Sequence, residues 1–304
     1  MTSAVQTPED YGVLTGFQTV SAVDVRRFRD MLGMAEGARH EGGQPGAGTV
    51  PVPPSPSAPL GLVAAAALRA TADLLTRSAP PDGMVLIHGA QKLCVYRPVS
   101  AGAELASTAS VRSVRPLGGG IATEVLVQFA TPVGEPVAES TSLVVRTPPT
   151  APPPAPRATA AGAPAATGEP SGQEPVRPDR TASFTVTREL VGEYAAVSGD
   201  HNPIHLSELA ARAAGFPDII AHGMLTFALT AHHLAGLAGD DRVSEIQWRF
   251  SKPLTVPAEG AALALSCRPL PAGTEEKGGL LLTATDGAGS TIARGRAVVA
   301  PPSG

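Results

Sequence analysis

Only two cysteines occur in this sequence, Cys94 and Cys267, far apart and without the spacing of a metal-ligand set. That excludes a disulfide framework as the organising device and makes a reducing cytoplasm the expected compartment. Long runs of one charge are missing too, and the net charge is −4, which argues against a nucleic-acid partner. The start, MTSAVQTPED, has neither a basic stretch nor an apolar core, so it does not read as a signal peptide. The most apolar segment, 219–238, carries His222, His232 and His233, which favours a buried helix over a membrane span. What is present is 43% hydrophobic residues over 304 positions, enough for one large core or two small ones.

Residues 148–178 hold ten prolines and no leucine, isoleucine or aromatic residue. Such a tract cannot bury a core and is expected to be an extended or disordered linker. It separates an N-terminal domain, 1–147, from a C-terminal domain, 179–304.

The two sides resemble each other. TVSAVDVRRFRDMLG from Thr19 aligns with TVTRELVGEYAAVSG from Thr185, at an offset of 166 residues. RPVSAGAEL from Arg97 aligns with KPLTVPAEG from Lys252, and VAESTSLVV from Val137 with IARGRAVVA from Ile292, both at an offset of 155. Two separate blocks at one offset point to an internal duplication with a domain-sized period. The difference between the offsets places extra residues in the first half, in the loop EGGQPGAGTVPVPPSPSAP. Each half opens on a short helix capped by Ser21 or Thr187 and continues with a strongly apolar helix, 60–75 or 224–237. Strands follow at 86–96, 104–114, 122–129 and 138–146, and again at 243–250, 261–268, 279–285 and 291–300. This order predicts an α+β fold with an antiparallel sheet.

Five of the seven histidines fall between His201 and His233, and the densest stretch is SGDHNPIH, 198–205. Asn202-Pro203 reads as an N-cap and first turn of a helix running to Ala214, with Gly215 as its stop. A sharp turn there folds Asp200 back toward His205, and a carboxylate and an imidazole sharing a water make an acid–base pair. His222-Gly223 precedes the second apolar helix, where a free N–H and the absence of a side chain suit a developing oxyanion. Duller roles stand beside these: Asp200 as a turn residue, His205 as a cap or core histidine, His222 as a holder of the loop. A metal site is disfavoured, because His201 and His205 are four apart without the glutamate of an HExxH motif. A serine nucleophile has no GxSxG elbow to support it.

The string YAAVSGDHNPIHLSELAARAAGFPDIIAHGML, Tyr194 to Leu225, closely resembles the hydratase-2 motif of MaoC-like (R)-specific enoyl-CoA hydratases and dehydratases. The first half, with HGAQKLCVYRPVSAG from His88, is similar to the degenerate half of two-domain members. The resemblance implies a double hotdog, each sheet wrapping a central helix, with the halves as an intramolecular pseudo-dimer and a homodimer possible. It implies Asp200 and His205 as the catalytic pair that adds water to a trans-2-enoyl thioester or removes it from a 3-hydroxyacyl thioester. It gives Gly223 the oxyanion contact and Asn202 a part in ordering the site. No cofactor and no metal are implied; coenzyme A or the phosphopantetheine of an acyl carrier protein is the substrate's handle. Met34 and Arg39 stand where the first half would need Asp200 and His205, so one site per chain is expected. Two other readings share the motif's chemistry or fold: an enzyme of a polyketide-type pathway using the pair for isomerisation or ring closure, and a non-catalytic hotdog subunit. A thioesterase shares the fold alone.

Overall fold

A computed structural model describes residues 7–37, 57–78, 85–147, 180–239, 242–270 and 278–300. The proline-rich tract 148–178 and most of the glycine-rich loop of the first half lie outside the described residues.

All ten strands join one antiparallel sheet. In chain order they are β1 (Val13–Thr19), β2 (Val85–Val95), β3 (Glu104–Leu117), β4 (Gly120–Ala130), β5 (Pro136–Thr147), β6 (Arg180–Val186), β7 (Val243–Phe250), β8 (Ala261–Pro269), β9 (Gly279–Asp286) and β10 (Thr291–Val299). The sheet order is β1-β3-β4-β5-β2-β7-β10-β9-β8-β6. Read from its outer edge inward, each side repeats one order, so β1 corresponds to β6 and β2 to β7. The two sides meet where β2 pairs with β7, from Ala90 opposite Arg249 to Cys94 opposite Glu245. β1 and β6 have no counterpart in the strands read from the sequence. They are the sheet's edges, and β1 is too exposed on both faces to show a period-two pattern.

The α-helices among the described residues are α1 (Ala22–Gly37), α2 (Leu60–Ser78), α3 (Arg188–Ser198), α4 (Glu208–Ala213) and α5 (Gly223–Ala238). The Ser21 side chain accepts from the Asp24 N–H at 3.0 Å, and Thr187 caps α3 in the same way through Leu190. The first of these helices is not short: α1 continues through Met34, where the second half breaks into the Asp200 loop. α2 and α5 run through the middle as the central helices of the expected double hotdog. They approach closely at Gly61, where a Cβ would fall 2.7 Å from that of Ala228 and 3.0 Å from the Phe28 ring. Phe28 of α1 meets Tyr194 of α3 edge-on, with ring centroids 6.3 Å apart. Among the described residues no helix is long and apolar enough to cross a membrane.

The contact at Gly61 leaves no room for a side chain. Gly61→Val must push α2 from α5, and overpacking of this kind costs about 1–3 kcal/mol. Thermal unfolding is expected to show a melting temperature several degrees lower; an unchanged one would mean the helices separate freely.

Candidate active site

The helix read over 202–214 is broken in two. Asn202 caps only a 3-10 turn, Pro203–His205, by accepting from the Ile204 N–H at 3.4 Å. Ile204 and His205 are buried by that turn, Leu206 closes it, and Ser207 starts α4 afresh by accepting from Ala210. The stop lies where expected, with Gly215 at φ +88°.

The segment before α5 is pinned from both sides. Ile220 N–H donates to Ile204 O at 3.3 Å, and Ala221 N–H to Leu254 O at 2.8 Å. Arg188 holds Asp218 with both oxygens, at 2.9 and 3.0 Å, and Glu208 at 2.6 Å. These ties bring the Ile220 carbonyl to His205 Nδ1 at 2.8 Å. A carbonyl only accepts, so Nδ1 carries the proton and Nε2 keeps a lone pair. Burial holds His205 below its ordinary pKa against the raising effect of the Asp200 charge and the Ile220 bond, so the ring is neutral near pH 7.

His222 lies against it, with ring centroids 3.8 Å apart and planes inclined by 31°. Its Nε2 donates to Asp200 O at 2.9 Å. Burial, and then the neighbouring His205, push its pKa down. His222 therefore holds the Asp200 loop, one of the roles weighed for it from sequence. Asp200 is half-buried and accepts from the Asn202 N–H at 3.2 Å, while its own N–H reaches Ser198 Oγ at 3.2 Å.

Asp200, Asn202, His205 and Gly223 share the wall of one cavity of about 410 Å³, a size suited to a small-molecule site. Gly223 opens α5, and a Cβ on it would meet the Phe250 ring at 3.1–3.3 Å, so the contact itself selects glycine. His201 is exposed, and His232 and His233 sit half-buried on α5 away from the cavity. The opposite wall belongs to the first half: Leu68 and Arg69 of α2, Ile87 and His88 of β2, Leu143 and Val145 of β5. His88 and Arg69 were not singled out from sequence. His88 follows no motif of its own. It stands beside the bulge at His88/Ala90, its ring 5.4 Å from Phe250, and burial lowers its pKa to about 4 against the Ala90 backbone bond and the Asp200 charge.

Asp200, His205 and His222 bring ligand-type atoms within 4.8 Å of one another. The free ring nitrogens are His205 Nε2 and His222 Nδ1, and lone pairs lie in the ring planes. Three such atoms, without a fourth protein ligand among the described residues, fall short of the usual closed tetrahedral zinc site.

With this geometry the chain was compared with known proteins. Residues 171–266 match the sequence profile of the family described as MaoC like domain. Over these residues the chain is similar to a MaoC-like domain. The 3-hydroxyacyl-thioester dehydratase X of Mycobacterium tuberculosis is 39% identical over 89 residues, 29% of this chain and 31% of that protein. Dehydratase Y of the same organism is 29% identical over 180 residues, 56% of this chain and 58% of that one. These matches thus span less than two thirds of either relative. The crystal structure of HtdX from M. tuberculosis superposes with a TM-score of 0.67 at 21% identity, covering 94% of this chain and 99% of that one. At that identity the likeness shows the double-hotdog fold.

Two predictions arise from the site. His88, His205 and His222 are held neutral, whereas in the unfolded chain each takes up a proton near pH 6.5. Below that pH the unfolded state binds more protons, so stability falls as pH falls, by at most about 1.4 kcal/mol per pH unit for each histidine. Denaturant midpoints measured from pH 7.5 to 5 are expected to drop; a flat profile would contradict neutral burial. Dialysis against a strong chelator is expected to leave turnover unchanged, with no stoichiometric zinc by elemental analysis. Loss of activity restored by zinc would revive the metal reading.

Proposed function

We propose that the chain adds water across the 2,3 double bond of a trans-2-enoyl thioester to give the (R)-3-hydroxyacyl thioester, and catalyses the reverse dehydration. The observation that carries this reading is the convergence of a neutral His205 with an unprotonated Nε2, the Asp200 carboxylate and Gly223 on one cavity. The names of the two mycobacterial relatives support the same class of reaction.

In the hydration direction a water sits between Asp200 and His205. Nε2 of His205 takes one proton as the water oxygen bonds C3. The electron pair of the double bond moves toward the thioester carbonyl, whose oxygen gains negative charge against the Gly223 N–H at the start of α5. The imidazolium then returns the proton to C2, and the carbonyl re-forms. Asp200 accepts the water's other hydrogen, orients the oxygen and stabilises the transient imidazolium. Asn202 keeps Asp200 aimed through its backbone N–H. The apolar wall from β2 and β5 takes the acyl chain, and coenzyme A or a carrier-bound phosphopantetheine carries the thioester. Neither a metal nor a redox cofactor enters the reaction.

The test is crotonyl-CoA and a longer trans-2-enoyl-CoA, following the loss of the conjugated thioester absorbance and resolving the product's C3 configuration. Asp200→Asn and His205→Ala are each expected to cost about 10²–10⁴-fold in kcat. The double variant should lose little more than either alone, because the groups act as a unit. Near-normal turnover by either single variant would overturn the roles. Activity on neither substrate, with turnover of a carrier-bound polyketide intermediate, would move the pair to ring closure or isomerisation.

A further inference from the structure

Arg69 belongs to α2, in the half without an Asp/His pair, yet it reaches the loop that carries Asp200. Its Nη1 donates to Ser198 O at 2.9 Å, with a longer contact to Val197 O at 3.4 Å. These are carbonyls at the end of α3, which have no partner within the helix and lie at its negative pole. The methylene stem lies over Gly199, where a Cβ would fall 3.2 Å from Cδ and 3.7 Å from Cγ of Arg69. Gly199 also has φ +77°, the left-handed conformation that ends α3 and turns the chain toward Asp200. The glycine thus serves the turn and the arginine stem together. The other ties on Asp200, from Ser198, Asn202 and His222, all come from the second half.

We propose that Arg69 is a positioning residue: by capping α3 across the boundary between the halves, it holds the Ser198–Asp200 loop so that the Asp200 carboxylate meets His205 over the substrate. This rests on the hydratase reading above. It gives the half without the pair a part in the chemistry besides lining the acyl pocket. It also distinguishes α2 from an inert wall, because Nη1 serves the Ser198 carbonyl and more weakly that of Val197, where an apolar residue would offer neither a donor. Misplacement of a reacting group by about 1 Å costs up to about 10²-fold in rate, so a small shift of this loop is enough to matter.

The full-length Arg69→Met and Arg69→Lys variants are assayed with crotonyl-CoA and with the N-acetylcysteamine thioester of crotonate, which has no phosphate. Hydrogen–deuterium exchange of the amides at 198–202 is followed in parallel, and circular dichroism checks that the fold is kept. Arg69→Met is expected to lower kcat about tenfold to a hundredfold on both thioesters, with KM within about twofold. Exchange at 198–202 is expected to rise, and Arg69→Lys, which keeps one donor, to recover part of both. Unchanged kcat together with unchanged exchange overturns the proposal. So does a loss confined to KM for the coenzyme A ester, which would make Arg69 a phosphate contact. If the wild-type chain turns over neither thioester, the hydratase reading falls. Exchange then decides the tether by itself: faster exchange in Arg69→Met supports the hold on the loop, and equal exchange removes it.

Discussion

The pairing of β2 with β7 is the contact on which the rest depends. Five residue pairs, Ala90–Arg249 to Cys94–Glu245, join two five-stranded sides into one sheet and leave no free edge at the centre. Joined in this way, the sides set α2 against α5, close enough that Gly61 has no space for a side chain. The ladder stops at Ala90, beside the bulge between His88 and Ala90 in the pairing of β2 with β5. The cavity opens at that point, with the Asp200 loop on one side and the apolar residues of β2 and β5 on the other. Neither half encloses it alone.

Inside the cavity, burial and hydrogen bonding do different work. Burial disfavours the charged form of His88, His205 and His222 alike. Hydrogen bonding then separates their roles. The Ile220 carbonyl takes the His205 Nδ1 proton outward and leaves Nε2 as a base, whereas His222 spends its Nε2 proton on the Asp200 carbonyl and becomes a brace. Two neighbouring imidazoles of the same chemistry are thereby left with different free nitrogens, Nε2 in His205 and Nδ1 in His222, by which backbone carbonyl each one meets.

Much of this was legible along the chain. The repeated blocks at one offset correspond to equivalent strands, because β2 and β7, and β5 and β10, are also related by the 155-residue offset. Asn202-Pro203 marked the turn at the site, and Gly215 the end of the following helix. The turn's length was not legible. A 3-10 turn and a helix start share an N-cap and a proline, and the break shows only in the fresh N-cap at Ser207. Of the edge strands, β1 escaped notice because both of its faces are largely exposed, and β6 because only Phe184 and Val186 of its seven residues are buried.

Local sequence decided which groups stand within a few residues of Asp200, since Asn-Pro, Gly199 and Gly215 limit the backbone wherever they occur. It also decided that the first half has no second pair, as Met34 occupies the position of Asp200. What lies across the cavity was settled only by the tertiary fold. Arg69 is 129 residues from Ser198, and His88 is likewise far from Asp200 in the chain. Local periodicity and motif spacing do not show which residues meet across such intervals. They are brought together by the antiparallel seam and the crossing of two central helices, interactions that depend on both halves being folded at once.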